Sequence, residues 1–267
     1  MQDKAVFWRI PEFHGLEFLK ATSVHHSYAR HWHETFVIQV VEFGVNGLYC
    51  AGSMYSVPAA SILVINPGDV HTGFAEGDRP MSYRSVYPLP ELMPETPSMP
   101  SFRIPVISDP HLASRFLKAH RKFETGQDSL QAQSLLLSAI ADLVSGYSDR
   151  KPRRQTPEGP VHAAKEFLLT HYQKQTRLED LAGLCGFSPY YFLRAFRKTL
   201  GLPPFEFLTN IRVERAKELL AKGLSISESA QLTGFYDQSH LHRHFKRIAG
   251  VTPGQYRARS YNTTTIV

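Results

Sequence analysis

The pattern of apolar and polar positions divides the chain into three stretches. Over residues 1–105 the apolar residues fall in short runs, Phe36–Val41, Ile62–Ile65 and Tyr83–Tyr87. Turn signals such as Val45-Asn46-Gly47 and Asn66-Pro67-Gly68-Asp69 separate them. Short runs at this spacing predict many strands closed into a barrel or stacked as a sandwich. Alternation through Ser82–Tyr87 puts Tyr83, Ser85 and Tyr87 on one face and Arg84 on the other, and does not say which face looks inward. Ahead of the first strand so read lies the short apolar segment Val6-Phe7-Trp8-Arg9-Ile10-Pro11. It is either an arm that changes its contacts or a cover for the barrel.

Residues 109–147 switch to helical spacing. Asp109-Pro110 opens one helix, with Leu112, Phe116, Leu117, His120 and Phe123 on one face. After Gly126 a second helix over 128–147 carries Leu130, Leu135, Leu136, Leu137, Ile140, Leu143 and Val144. That face is wider than one neighbouring surface covers. Two readings stay open: one side against the barrel and another, through Leu136 and Leu143, against a second copy, or burial entirely within its own domain. The stretch 149–160, with three prolines and a run of charges, reads as a linker.

The last third repeats itself. Leu178–Phe187 aligns with Ile226–Phe235, matching Ala182 to Ala230 and Gly186 to Gly234 at an offset of 48 residues. One residue later Phe192–Lys198 faces Leu241–Arg247, and Gly201 and Pro204 face Gly250 and Pro253. Alanine followed four residues later by glycine suits a helix-turn-helix. The small side chain lets a second helix cross closely, and glycine takes the left-handed backbone of the turn. Thr176…Glu179 and Ser225…Glu228 have capping-box spacing at the start of each unit. Phe205, Leu208, Ile211, Ala216, Leu219 and Leu220 mark a long amphipathic helix joining the two.

Charge sharpens this division. The net +6 of the 267 residues resolves into −3 over residues 1–150, +2 over 151–160 and +7 over 161–267. A basic domain beside a slightly acidic one points to a polyanionic partner, most simply nucleic acid. Clean apolar runs reach only four residues, as at Ile62–Ile65, far short of the roughly 20 of a membrane helix. The N-terminus lacks the pattern of a secretory signal, and two distant cysteines, Cys50 and Cys185, make no disulfide framework. The expectation is a soluble, cytoplasmic protein without a membrane partner.

The duplicated pattern, its separation and the closing Gly250-Val251-Thr252-Pro253-Gly254-Gln255-Tyr256-Arg257 resemble the AraC/XylS family of bacterial transcription regulators over residues 161–258. The resemblance implies an α+β protein of two domains. An N-terminal cupin-like β-barrel with two helices (1–148) would bind effector and dimerise. A linker (149–160), an all-α domain of two helix-turn-helix units joined by a long helix (161–258) and a tail (259–267) would follow. Implied partners are double-stranded DNA, a small-molecule effector, a second copy of the chain and RNA polymerase. No cofactor and no catalysis are implied.

The family's base-contacting positions fall on Tyr190, Leu193 and Arg194 in the first unit and on Gln238, Ser239, His242 and Arg243 in the second. With Phe192, Phe196, Leu241 and Phe245 turned to the core, these lie on the opposite side, together with Arg197. Arginine bonds both acceptors of guanine, glutamine pairs with adenine, and tyrosine or leucine meets the thymine methyl. Lys198, Lys246 and Arg247 suit phosphates, which position without specifying. Arg194 has a second reading, as a bond within the domain.

In the first domain His31-Trp32-His33, Gly44 and Asn66–His71 are similar to the two cupin motifs. Metal-binding cupins add a glutamate where this chain has Val37. His31, His33 and His71 are therefore read as lining a pocket for a small polar metabolite, with Tyr83 beside them, and no metal is assigned. The alternative function is a metal-dependent cupin enzyme carrying a DNA-binding domain.

Overall fold

A computed structural model of the protein describes residues 3–23, 27–77, 79–94, 99–126, 129–149 and 159–260. The chain divides into two compact units, one drawn mainly from Met1–Ser27 and Trp32–Arg153, the other from Tyr28–His31 and Arg154–Tyr261. Most of the linker read over 149–160, and the end of the tail, lie outside the described residues.

Among the described residues the first unit has nine strands: β1 (Lys4–Ile10), β2 (Leu16–Ser23), β3 (Val37–Phe43), β4 (Val45–Cys50), β5 (Ser53–Pro58), β6 (Ile62–Ile65), β7 (His71–Ala75), β8 (Met81–Tyr87) and β9 (Val106–Ile107). The predicted barrel is not closed. The strands form a six-stranded sheet in the order β1-β2-β8-β3-β6-β9 and a three-stranded sheet in the order β5-β4-β7. The corner between them is Gly44. The β3–β8 ladder is irregular between Val41 and Phe43, and Gly44 follows with φ 79°. A Cβ at Gly44 would stand 2.6 Å from the carbonyl oxygen of Pro80, so only glycine lets the chain cross here.

Each face of the large sheet has its own core. Val37, Val41, Leu63 and Ile65 meet Leu48, Cys50 and Val57 of the small sheet. Trp8, Phe18, Ile38, Val40, Val64 and Val86 meet the helices α1 (Pro110–Thr125) and α2 (Ser129–Tyr147). The unit is thus three-layered, with small sheet, large sheet and helix pair stacked in that order. Asp109 caps α1, its Oδ1 accepting the Leu112 N–H at 2.9 Å. The Tyr147 hydroxyl at the end of α2 donates to Asp109 Oδ2 at 2.8 Å, so one carboxylate fastens both helices.

Two expectations are corrected. The segment Val6–Ile10 does not precede the first strand. It belongs to β1, pairing Phe7 with Leu19 and Trp8 with Phe18, with both aromatic rings buried. Its backbone pairing and its stacking on Phe18 (5.6 Å between centroids) outweigh a weak alternation in the sequence. Leu136 and Leu143 do not face a partner. Both are fully buried in the core under the sheet, and Leu130 (73% exposed) and Leu137 (42%) hold the outer side of α2.

The second unit is helical: α3 (Pro160–Thr170), α4 (Leu178–Leu184), α5 (Pro189–Leu200), α6 (Pro204–Ala221), α7 (Ile226–Leu232), α8 (Gln238–Ala249) and α9 (Pro253–Ser260). The connecting helix α6 is buried on nearly every side, against α3, α5, α7, α8 and α9, instead of being amphipathic. Asn210, Arg212 and Lys217 are buried with it. Arg212 is tolerated because its guanidinium donates to the carbonyls of Tyr172 (2.7 Å) and Lys174 (3.0 Å). Phe205, read as part of the apolar face, is 60% exposed.

Candidate functional site

The two helix-turn-helix units are α4–α5 and α7–α8. Both turns use left-handed glycine, Gly186 at φ 68° and Gly234 at φ 80°. The second unit has the predicted capping box. Glu228 N–H donates to Ser225 Oγ (3.1 Å), and Ser225 N–H donates to the Glu228 carboxylate (2.8 Å). In the first unit the box shifts by one residue, with Asp180 Oδ2 accepting from Arg177 N–H at 3.3 Å in place of the pair Thr176…Glu179. The aspartate is shorter and caps from nearer its own turn.

The second helix of each unit buries Phe192 and Phe196, or Leu241 and Phe245, and turns its other side out. Tyr190, Leu193, Arg194, Arg197 and Lys198 are exposed on α5. Gln238, Ser239, His242, Arg243 and Lys246 are exposed on α8. The Arg194 guanidinium lies over the Tyr190 ring, 5.8 Å from its centroid. These ten side chains offer bidentate donors, amide and hydroxyl groups and aromatic edges along two exposed helices of one repeated scaffold.

Sequence reasoning missed a cluster behind α8. The His240 and His244 rings stand 4.8 Å apart, and His244 also meets Phe235 (6.1 Å) and Phe205 (6.4 Å). Burial, then the neighbouring His240, Arg247 and Arg243, pushes the His244 pKa down to about 4. His244 is therefore neutral near pH 7 and packs as an aromatic. Its spacing of four from His240 was visible; the pairing with Phe205 of α6 was not.

In the N-terminal part of the chain His31, His33 and His71 are brought together, each offering a ring nitrogen within 4.8 Å of the others. Nδ1 of His31 donates to the Ala29 carbonyl (2.8 Å), and Nδ1 of His71 to that of Asp69 (2.9 Å). In the neutral rings this leaves the lone pairs on Nε2. Val37, where a metal-binding cupin carries glutamate, is buried among Val41, Leu48 and Leu63. The structure settles which face of β8 looks inward. Arg84 and Val86 face the helices, so Tyr83, Ser85 and Tyr87 face the small sheet. Tyr87 packs on His33 with centroids 5.4 Å apart, and Tyr83 sits four residues back on the same face, about 13 Å along the strand. Alternation alone put Tyr87 on this face but gave no sign of the histidine against it.

On the opposite face Arg84 is held by Glu42 (3.0 Å), Glu124 (2.6 Å) and His120 Nδ1 (3.0 Å). His120 Nε2 donates to the Leu19 carbonyl at 3.1 Å, so Nδ1 carries the lone pair that accepts from Arg84. Burial, reinforced by the Arg84 charge, pushes the His120 pKa to about 3. Charge on β3 and β8 is thus on the helix side of the sheet, while the Glu17–Arg9 pair of β2 and β1 lies on the face of Tyr87.

The chain matches the AraC-like ligand binding domain over residues 13–140 and a helix-turn-helix domain over residues 162–259. It is 31% identical over 240 residues to YbfI, an uncharacterised HTH-type transcriptional regulator of Bacillus subtilis, covering 86% of this chain and 87% of that one. It is 26% identical over 138 residues to LumQ, a probable transcriptional regulator of Photobacterium leiognathi, covering 50% and 54%. Among solved structures it shares its fold with ToxT of Vibrio cholerae O395, with a TM-score of 0.57 at 12% identity over 98% of this chain and 99% of that one.

Proposed function

The chain belongs to the AraC family of transcriptional regulators, and from that premise we propose a regulator that reads DNA through α5 and α8 in response to a small polar metabolite. One observation carries the reading. All ten side chains assigned to DNA from the sequence stand exposed on the equivalent helices of a duplicated scaffold, in the part of the chain that holds the positive charge. Arg194 and Arg243 read guanine, Gln238 reads adenine, and Lys198 and Lys246 take phosphates. The metabolite enters beside His31, His33, His71 and Tyr83. A second copy associates along the outer strip of α2, at Leu130 and Leu137. Among the described residues no helix is long and apolar enough to cross a membrane.

Selection of bound sequences from random DNA by the full chain tests the DNA reading. Two half-sites about one helical turn apart are expected, as is a steep fall of affinity with salt. Recovery of no sequence preference, or of a single half-site, would overturn the paired use of α5 and α8. Light scattering tests the pairing of copies. Leu137→Glu is expected to give a folded monomer, and an unchanged dimer would move the interface elsewhere.

A further inference from the structure

The two copies of the helix-turn-helix differ in length by one residue, and the difference falls at the head of α8. In the first copy Ser188 follows Phe187 directly and caps α5. In the second, Tyr236 stands between Phe235 and the cap Asp237. The backbone around this added residue is fixed on both sides. The Phe235 ring is buried and packs edge to face with His240, 5.3 Å between centroids. Asp237 Oδ1 accepts from His240 N–H at 2.6 Å, and Tyr236 N–H itself donates to His240 Nδ1 at 3.4 Å.

The Tyr236 side chain is held by nothing comparable. It is 90% exposed, more than any other large apolar side chain among the described residues, and there it makes no hydrogen bond, ion pair or ring contact. The exposed tyrosines of the first copy are both engaged, Tyr190 with the Arg194 guanidinium at 5.8 Å and Tyr191 with Phe187 at 4.7 Å. An unengaged aromatic side chain adds nothing to the folding of its own unit. Carried on a fixed backbone, it offers a large amphipathic contact at little cost in ordering.

Its neighbours say what it meets. Gln238 and Ser239, the two residues after the cap, are exposed and head the helix assigned to the major groove. The first residues of such a helix reach base edges, so a residue ahead of its cap stands at the rim of the groove, along the sugar–phosphate backbone. Tyrosine suits that place. Its hydroxyl donates to a phosphate oxygen, its ring covers sugar C–H groups, and it does both without bringing a charge.

We propose that Tyr236 is a DNA-backbone contact, an uncharged stop that sets how α8 enters the groove, and that the first copy has no counterpart at this position. This rests on the DNA reading above and adds a residue and a role to it.

Full-length wild type, Tyr236→Phe, Tyr236→Ala and Tyr236→Lys are titrated with the duplex recovered by selection and with random duplex of the same length, over a range of salt. Thermal midpoints are followed alongside. All four proteins are expected to melt alike, since the side chain lies outside the core. Tyr236→Phe is expected to weaken binding to both duplexes about threefold, and Tyr236→Ala about tenfold, with the wild-type salt slope kept. Lys246→Ala, by contrast, lowers that slope by about one. Tyr236→Lys is expected to regain wild-type affinity or better and to steepen the slope by about one, because a cation there meets the same phosphate. Three results overturn the proposal. One is Tyr236→Ala binding both duplexes as wild type does. Another is a loss confined to the selected duplex, which would make Tyr236 a base reader. The third is Tyr236→Lys binding no better than Tyr236→Ala with an unchanged slope, which would put the residue away from phosphates. The DNA reading fails separately, if the wild type prefers no sequence; the comparison on random duplex then still decides the role of Tyr236.

Discussion

In the first helix-turn-helix the turn glycine, Gly186, has open space where a Cβ would be; in the second, Gly234 backs onto the carbonyl of Gln173, which a Cβ would meet at 2.7 Å. The cap of the recognition helix also differs. Ser188 Oγ accepts from Tyr191 N–H at 3.4 Å, whereas Asp237 Oδ1 accepts from His240 N–H at 2.6 Å. Where the first copy has Tyr191 and Ala195, the second has His240 and His244, packed against each other. Duplication preserved the folding instructions of the unit and released its surface. The two copies therefore share a backbone plan with different local contacts and different surface chemistry, and in the function proposed above a single chain would read an asymmetric site.

Changes made in parallel at matching positions test this difference. The largest gap is expected at the turns. Gly186→Ala meets only the left-handed backbone penalty, roughly 1–2 kcal/mol, whereas Gly234→Ala adds a clash with fixed backbone and should cost about 3 kcal/mol or more. Denaturant titration of both variants measures it, and equal losses would erase the asymmetry of the turns. Next come the matched arginines. Arg194→Ala and Arg243→Ala should each lose about 1–3 kcal/mol of specific binding and relax preference at different base positions. A loss that is the same on random DNA would remove that arginine from base reading.

The caps come third. Asp237→Ala should cost about 1 kcal/mol and Ser188→Ala rather less, following the tighter bond at Asp237. The smallest effect is set by pH. The His244 pKa is about 4 in the folded unit against an ordinary value of 6.5, so the unfolded chain binds the proton first. Stability from His244 is whole above about pH 6.5 and drains away toward pH 4. Amide exchange at pH 5 should show α7–α8 opening more than it does at pH 7, with α4–α5 unaffected by this group. His244→Phe should flatten that response.

The repeat was legible because its signals are local: a glycine four residues past an alanine, a cap, and aromatic residues four apart. The strands at Ile62–Ile65 and Tyr83–Tyr87 and the helix opening at Asp109-Pro110 were legible for the same reason. What escaped depends on partners distant in sequence. Val6–Ile10 became a strand because β2 lay alongside it. Leu136 and Leu143 were claimed by the sheet because α1 and α2 pack on it as a pair. Arg212 and Lys217 made α6 look amphipathic, yet backbone carbonyls 38 and 40 residues away satisfy Arg212. The histidines were found through motif positions, whereas the packing of Tyr87 on His33 depends on a strand 54 residues away.

The burial of α6 on almost all sides makes it a ruler. A connector with one wet face could bend or slide to accommodate a changed distance between α5 and α8, but this one has neighbours in nearly every direction. One base pair inserted between the half-sites turns the second by roughly 35° about the DNA axis. Among the described residues α6 leaves little exposed face along which this unit could bend to follow that rotation, so in the function proposed above the strain would fall on the DNA. Operators with altered spacing would then be tolerated in proportion to how easily their central steps twist, and the sequence between the half-sites would become part of what is recognised without being touched.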